Sequence, residues 1–491
     1  MTDGPGARLR GSYPLAVATV LLALTPSLVL STALLPLTPQ IVDDLGTSTT
    51  WLQVTNGLAN AGLALGVVVA SMLAQRFVQR PLFLGYAAAF LVGSVLVVLA
   101  PSLPLFLAGR VVQGGATGLM VISALPPLMT GFGAGPLPRT MGLASLGIFG
   151  GTTLGPLVGG YAADAAAWRT LMWVVVGAAV AGVVVAALGY PDLDPLDPDL
   201  PIDRSALALA TTGVLLTYLA TSLVATVTLA SYVFWVLFVA GTAAVVVLVL
   251  VERGKDTSLM PVRELSTQLP VTGTLVAMIA GAATVTVVEL VQLHLAGVAK
   301  ESPAAAGLLF WPMPLGLAVA SVAITATFRT RYLPVLVNIG LGALAVATAA
   351  LLLLSASNVD WLAPAATAVL GFGAGATIAP GLFLAGLGVR ADLLGRAFAL
   401  VQLLRLTASF AVGPVVVHLA QTRSSLASGI DVGLWISLGL VLAGLVVSLV
   451  VPALSGAELH EPDLEAWLDG ERGMWSPATG AEVRDDVPDA G

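Results

Sequence analysis

The sequence lacks cysteine and has few charged residues. Of its 491 residues only 10% are charged, whereas soluble proteins usually have about 25%. Without cysteine, disulfides, thiolate metal sites and cysteine nucleophiles are excluded. The three histidines, His294, His418 and His460, lie far apart and have no spacing typical of metal ligands. The composition therefore excludes a soluble globular protein, and we expect no metal and no cofactor.

The sequence also has no excess of basic residues over acidic ones. The net charge is -7, but residues 458–489 hold ten acidic residues and two arginines, so this segment alone carries -8. The rest of the chain is nearly neutral, which gives no reason to expect a nucleic-acid partner. We expect residues 454–491 to form an acidic, disordered cytoplasmic tail.

Long apolar runs are abundant, since 57% of the residues are hydrophobic. A membrane crossing needs about 20 apolar residues, and the sequence predicts fourteen spans in an all-α polytopic membrane protein. The first run is too long for the apolar part of a cleaved signal peptide, so we expect it to remain as a helix. The spans are 14–36, 51–74, 81–100, 104–126, 140–162, 168–190, 205–226, 230–251, 270–296, 303–326, 333–355, 361–385, 393–420 and 433–453.

The loops between the spans differ in their content of Lys and Arg. With the N-terminus inside, thirteen basic residues fall on the cytoplasmic side and three on the opposite side. Because cytoplasmic loops retain Lys and Arg, this distribution predicts that both termini are cytoplasmic. The expected location is the plasma (inner) membrane.

The chain divides into six spans, two spans and six spans. The divisions are the longest cytoplasmic connections before the tail, 190–204 and 252–269, and residues 76–82 resemble residues 329–335. Repeated halves around a cavity at the membrane midplane are a transporter architecture. We expect a cytoplasmic N-terminus at 1–13, bundles at 14–190 and 270–453, and two inserted helices with their linkers at 191–269. The inserted helices should lie at the periphery.

Spans 4 and 5 carry unusual residues for a membrane helix. Arg110 lies inside span 4, and an arginine there is functional or paired with a carboxylate or with carbonyls. In span 5, Gly147, Gly151, Gly155 and Gly159 recur at every fourth position; we call these four the glycine ladder. Gly160 extends the same run of glycines, and Pro156 removes one backbone hydrogen bond and allows a bend. Such a face allows close helix packing, and we expect it to contact a helix of the other half.

These motifs resemble those of a known family. Residues 110–114 and 151–160 resemble two motifs of major facilitator superfamily exporters, and the second is similar to the motif associated with antiporters. The chain also resembles the fourteen-helix drug/proton antiporters in its fourteen spans and in Asp44, Trp168–Arg169 and Pro303. The resemblance implies a major facilitator fold in a 6+2+6 arrangement, alternating access, and export driven by the proton gradient.

The sequence departs from that family at three places, one of which is span 6, where Val174 and Val175 stand in place of the expected asparagine. The loop after span 2 has Gln75 and Val78 where the family usually has Asp and Gly, which leaves Arg76 and Arg80 as its motif residues. Residues 28–38 of span 1 contain no acidic residue, although the family often has one there for handling protons. Arg76 and Arg80, with Gly151, Gly155, Pro156, Gly159 and Gly160, are the predicted conformational residues.

Several spans have polar residues on one helical face. The residues recur at spacings of three and four, as in Asn56 and Asn60 of span 2 and Gln402 and Arg405 of span 13. In lipid such a face must turn inward, where it either joins helices or lines a cavity. The candidate substrate contacts are Asn56, Asn60, Gln113, Gln292, Trp311 and Gln402.

Glu289 is the only carboxylate well inside a predicted span. Removal from water favours the neutral form of a lone carboxyl group, so Glu289 is the candidate proton carrier. A permanent pair with an arginine and a misplaced span boundary are the alternatives. We expect Arg110 to lie at the same depth as Glu289, about 10 Å from the outer surface. Our hypothesis is that these two residues form an ion pair in one access state and separate in the other. Arg405 is the alternative partner.

The favoured function is export of small hydrophobic or amphipathic compounds by alternating access, with proton antiport. The expected partners are such a substrate, protons and the lipid bilayer, and we expect a monomer without enzymatic activity. A mostly apolar cavity favours such ligands over sugars. The alternative is a lipid or glycolipid transporter with unusual proton coupling. A membrane receptor or enzyme is less favoured, because most loops are too short to build a site.

Overall fold

A computed structural model of the chain describes residues 12–195, 197–255, 258–455 and 460–475. Fourteen of its helices are long and apolar enough to cross a membrane, which confirms the all-α membrane fold. They are α1 (Tyr13–Leu45), α2 (Thr49–Arg76), α3 (Gln79–Leu99), α4 (Leu103–Thr130), α5 (Leu137–Asp164), α6 (Trp168–Gly189), α7 (Arg204–Ser222), α8 (Tyr232–Arg253), α9 (Gln268–Gly297), α10 (Pro312–Thr327, after a short helix Pro303–Leu308), α11 (Leu333–Leu351), α12 (Val359–Gly386), α13 (Leu394–Gln421) and α14 (Leu426–Ser455). The cytoplasmic and outer sides are named by the predicted orientation.

Helix α1 is longer than its predicted span. It passes Pro36 and Pro39 and ends at Leu45, where Gly46 adopts a left-handed φ of 59° and closes the helix. Each proline removes one backbone donor, but Gln40 hydrogen bonds to the carbonyl of Ala163 in α5. Tertiary packing therefore extends the helix beyond the position where the prolines suggest its end.

The two six-helix bundles have the same internal pairing. In the first bundle, Gly114 and Gly118 of α4 lie directly on the backbone of α2 at Ala59 and Leu63. In the second bundle, α10 and α12 make the corresponding contact through Gly316, which lies against the carbonyl of Ala368. The second and fourth helices of each half thus pack backbone to backbone, as expected for a repeated unit.

The halves meet along α5 and α10. A Cβ on Gly142 would lie 2.7 Å from the Ser321 carbonyl oxygen, and one on Gly307 would lie 2.7 Å from that of Pro156. The first contact is on the cytoplasmic side and the second is on the outer side. Only glycine permits such proximity, so the halves touch through backbone surfaces at both ends of this helix pair.

The two inserted helices do not lie equally far from the junction. Helix α7 contacts α2 through Gly57 and Ser222, and its Tyr218 stacks on Phe410 of α13 with ring centroids 4.7 Å apart. By contrast, α8 packs mainly on α7 and is largely exposed, as at Val236. The prediction that both inserted helices are peripheral fits α8, but α7 bridges the two halves.

A charged cluster joins the cytoplasmic ends of α7 and α8. Lys255 pairs with Asp203, and its Nζ lies 2.6 Å from Oε1 of the fully buried Glu252. Burial acts to raise the pKa of Asp203, but the hydrogen bond from Lys255 and the backbone donor of Ala206 lower it to about 2. Asp203 therefore stays ionised at physiological pH, and the cluster fixes the two inserted helices to each other.

Part of the acidic tail is folded, contrary to the prediction of disorder. Residues 460–475 include a short helix, Leu464–Leu468, and bury Trp467, Met474 and Trp475. The Trp467 indole donates to the carbonyl of Val389 at 3.0 Å, and the Met474 amide donates to that of Leu387 at 2.9 Å. The acidic composition predicts disorder, but three large apolar residues are enough to dock this segment at the cytoplasmic end of α12.

Candidate functional site

Arg110 lies inside the first bundle. It is 8% exposed, and its Nη1 donates to Oε1 of Gln113 at 2.9 Å. The Gln113 amide in turn donates to Oγ of Ser94 in α3 at 2.9 Å. This chain of hydrogen bonds joins α4 to α3, so in this conformation the 1% exposed Gln113 side chain binds neighbouring helices, and its role as a substrate contact stays a prediction.

Arg405 lies near the middle of α13 and is partly exposed. Its Nε donates to Oε1 of Gln402 at 2.7 Å, and its guanidinium carbon lies 5.8 Å from the ring centre of Phe149 in α5. The aliphatic part of the side chain passes over Gly281 of α9, where a Cβ would lie 3.1 Å from Cγ. Arg405 therefore faces both halves, and the 3% exposed Gln402 orients it rather than lining a cavity.

Glu289 lies on α9, partly exposed, on the face that also carries Gln292. A Cβ on Gly413 of α13 would lie 4.0 Å from Oε2 of Glu289. Within the described part of the chain, the carboxylate has no hydrogen bond and no ion pair, and Arg110 is not its partner. Residues 405 and 413 are about 12 Å apart along α13, so Arg405 is also too deep to pair with Glu289.

The remaining predicted substrate contacts are less deeply buried. Asn56 and Asn60 are half-buried on α2; the Asn60 amide donates to the Asn56 carbonyl at 2.9 Å, and Oδ1 of Asn56 is buried without a partner. Gln292 is also half-buried, whereas Trp311 is 49% exposed at the outer end of α10. Asn56 and Gln292 thus retain hydrogen-bonding groups that are free to bind a ligand.

The glycine ladder packs against α1, which belongs to the same half. Gly151 lies on Leu28, and a Cβ on Gly155 would lie 2.6 Å from the Val29 carbonyl oxygen. The expectation of a contact with the other half is therefore wrong for the ladder. It is correct for Gly160 and for the carbonyl of Pro156, which meet the short helix Pro303–Leu308. Spacing identifies a close-packing face, but the choice of partner depends on the tertiary fold.

The cytoplasmic arginines hold different partners in the two halves. Arg76 donates to the carbonyl of Leu200 at 2.7 Å, and Arg80 pairs with Asp192 at 3.3 Å, so both bind the linker after α6. Arg329 lies at the corresponding position in the second half and donates to the carbonyls of Ala134 and Gly135 in the first half. Arg329 is not among the predicted site residues, although the resemblance of residues 329–335 to residues 76–82 indicates that it corresponds to Arg76.

On the outer side, three residues of the sequence motifs meet. Asp44 accepts a hydrogen bond from the Trp168 indole at 3.1 Å and lies 2.8 Å from Nη2 of Arg169. Arg169 also donates to the carbonyls of Val98 and Ala100. These contacts join the outer ends of α1, α3 and α6, and they include neither Arg405 nor Glu289. Within the described residues, no group of three or more His, Asp or Glu side chains is arranged to hold a metal.

Comparison with known sequences gives consistent matches. Residues 20–414 match the profile of the Major Facilitator Superfamily. The chain is 28% identical over 195 residues to an uncharacterized MFS-type transporter of Bacillus subtilis (strain 168), covering 39% of this chain and 38% of that protein. It is 31% identical over 150 residues to a multidrug resistance protein B homolog of Mycobacterium tuberculosis, covering 30% and 28%. It is 32% identical over 191 residues to the tetracenomycin C resistance and export protein of Streptomyces glaucescens, covering 37% and 34%. The chain thus spans less than half the length of each of these relatives.

Comparison with solved structures supports the same fold. The crystal structure of the human organic anion transporter MFSD10 has a TM-score of 0.62 and 17% identity, and the match covers 91% of this chain and 100% of that one. At this identity the likeness shows the fold alone.

Proposed function

Because the chain belongs to the Major Facilitator Superfamily, a family of membrane transporters, we propose that it exports small hydrophobic or amphipathic compounds by alternating access in exchange for protons. The matched sequence relatives support the direction and the substrate class. Two of them are named for multidrug resistance and for export of tetracenomycin C. An apolar interior with a few free polar groups, such as those of Asn56 and Gln292, suits compounds of this kind.

The carboxylate of Glu289 carries the proposal of proton coupling. It is partly exposed, it lies within a membrane helix, and it has no cationic partner among the described residues. An ionisable group in a membrane helix is costly, and by default it serves function. Without a fixed ion pair, Glu289 is free to bind a proton from one side and release it to the other. Arg110, which is held by Gln113, is not needed for this step.

The junction between the halves supports alternating access. On the cytoplasmic side it includes the contact of Gly142 in α5 with α10 and the two hydrogen bonds that Arg329 makes to carbonyls of the other half. Contacts of this size are small enough to be exchanged for water when the halves rock. Rocking of one bundle against the other exposes a midplane site to each side in turn.

The first prediction tests proton coupling. Glu289→Gln removes the proton site but keeps the shape of the side chain, so we expect it to abolish substrate movement driven by a pH gradient. The measurement uses purified protein in liposomes with an imposed gradient, and follows both a fluorescent apolar dye and the internal pH.

Glu301→Gln is the matched control, because Glu301 lies in the outer loop between α9 and the short helix Pro303–Leu308. This variant should transport like the wild type. If Glu289→Gln retains proton-driven dye transport at the wild-type rate, Glu289 is not the coupling residue. If the wild-type protein moves dye but never moves protons, the antiport proposal is wrong.

A further inference from the structure

Arg405 leaves most of its hydrogen-bonding capacity unused. A guanidinium has five N–H donors, and the Arg405 side chain uses only Nε, which binds Gln402 at 2.7 Å. Within the described part of the chain, neither Nη atom has a hydrogen-bond partner. Arg169, a structural arginine, differs clearly: its Nε, Nη1 and Nη2 all donate to protein oxygens. A partly exposed arginine near the midplane with four free donors is therefore available to a ligand.

A second unused donor lies near the guanidinium. Tyr218 of α7 is 1% exposed, its ring stacks on Phe410, which lies five residues from Arg405 on α13, and its hydroxyl is buried without a hydrogen-bond partner. Aromatic rings surround the pair, since Phe410 stacks on Tyr218 and Phe149 lies beside the guanidinium. Polar donors without acceptors, set among aromatic rings, are complementary to an acceptor group on an apolar molecule.

The balance of charge decides which acceptor fits. Deep within the membrane helices, Arg110 and Arg405 are opposed by one acidic residue, Glu289, and it pairs with neither. Both arginines are held by neutral glutamine amides instead of carboxylates. The interior is therefore positive when Glu289 binds a proton and when it does not. A positive, low-dielectric site attracts anions and repels lipophilic cations.

We propose that Arg405 and Tyr218 form an anion-binding site at the membrane midplane, and that the substrates are amphipathic organic acids whose carboxylate or sulfonate binds there. The aromatic part of the substrate would lie between Phe149 of the first half and α13 of the second. This inference rests on the proposed export function, whose substrate class it narrows. It also gives the inserted helix α7 a direct part in substrate recognition.

The second prediction tests this site with two fluorescent probes of the same ring system, the anion dansylate and the neutral dansylamide. Purified protein in lipid nanodiscs is titrated by equilibrium dialysis, with empty nanodiscs to subtract probe bound by lipid. Wild-type protein should bind dansylate at least about ten times more tightly than dansylamide. Arg405→Gln should weaken dansylate binding by about 10- to 100-fold, as expected for a charge-assisted hydrogen bond, and leave dansylamide binding within about twofold.

Two further variants keep the outcome decisive. Arg405→Lys retains the charge but loses the planar arrangement of donors, so it should recover part of the preference for the anion. Arg423→Gln removes an exposed arginine of the outer loop and should bind both probes like the wild type. Equal binding of the two probes by the wild type, or an anion preference that persists in a folded Arg405→Gln protein, would overturn the proposal. Binding requires no proton gradient, so failure here is distinct from failure of coupling at Glu289.

Discussion

Gln113 and Gln402 each accept a hydrogen bond from an arginine that lies three residues away on the same helix. The two pairs differ in what surrounds them. The Arg110 pair is bound to α3 through Ser94, whereas the Arg405 pair faces the junction of the halves. The same local arrangement therefore serves helix packing in α4 and leaves a charge free for a ligand in α13.

The third prediction follows from this difference. Gln113→Leu removes the acceptor of Arg110 and the donor to Ser94 from a buried site, so we expect the free energy of unfolding to fall by about 1–3 kcal/mol. The melting temperature of the purified protein measures this loss. Gln53→Leu, which replaces an exposed glutamine of α2, should melt like the wild type. Equal melting temperatures in all three proteins would show that the hydrogen-bond chain contributes nothing.

At the scale of helices, the glycines of α5 divide between two contacts. Gly155 faces α1 in the same half, whereas Gly142 faces α10 in the other half. A side chain at the first position separates two helices of one bundle. A side chain at the second position separates the bundles themselves.

The fourth prediction compares the two positions with the same substitution. Gly155→Ala places a methyl group 2.6 Å from the Val29 carbonyl oxygen, and we expect a lower melting temperature, with a loss of about 1–3 kcal/mol. Gly142→Ala disturbs the contact with Ser321 and should change the rate of dye transport in liposomes more than it changes melting. The reverse pattern would show that the assignment of the two faces is wrong.

The membrane helices are the feature that the sequence predicts best. Apolar runs predict all fourteen membrane helices, because a segment that crosses lipid must satisfy its own backbone hydrogen bonds and therefore forms a helix. The C-terminal end of α1 is not predicted correctly, since its prolines are tolerated where α5 packs against it. The partner of the glycine ladder was also missed, because glycine spacing defines a surface and not its neighbour. The proposed anion-binding site can be predicted in part from the sequence. The spacing of Gln402 and Arg405 places both on one helical face, but the contribution of Tyr218 depends on how α7 packs.

At the scale of the whole molecule, the two repeated cytoplasmic loops are not equivalent. Arg76 and Arg80 bind the linker that follows their own half, whereas Arg329 reaches across to Ala134 and Gly135. Arg329 is therefore the arginine of this repeat that holds the halves together on the cytoplasmic side.

The fifth prediction is that Arg329→Ala loosens this side. Because the natural chain has no cysteine, spin labels can be placed on Val78→Cys in the first half and Val335→Cys in the second without other reactive thiols. We expect the measured distance distribution to broaden toward longer distances in Arg329→Ala. Arg331→Ala is the control, since Arg331 is exposed and donates only to its neighbour Tyr332. If the distance distribution between the two labels is the same with Arg329, with Arg329→Ala and with Arg331→Ala, this role for Arg329 is contradicted.

The docked segment at residues 460–475 has a consequence for the order in which the protein is made. The carbonyls of Leu387 and Val389, just beyond the end of α12, accept hydrogen bonds from Met474 and Trp467. Trp467 is synthesised 78 residues after Val389, and Met474 follows Leu387 by a similar interval, so both donors appear when α13 and α14 are already complete. The end of α12 is therefore left open to water while α13 and α14 are being made, and it is covered only when residues 460–475 fold back onto it.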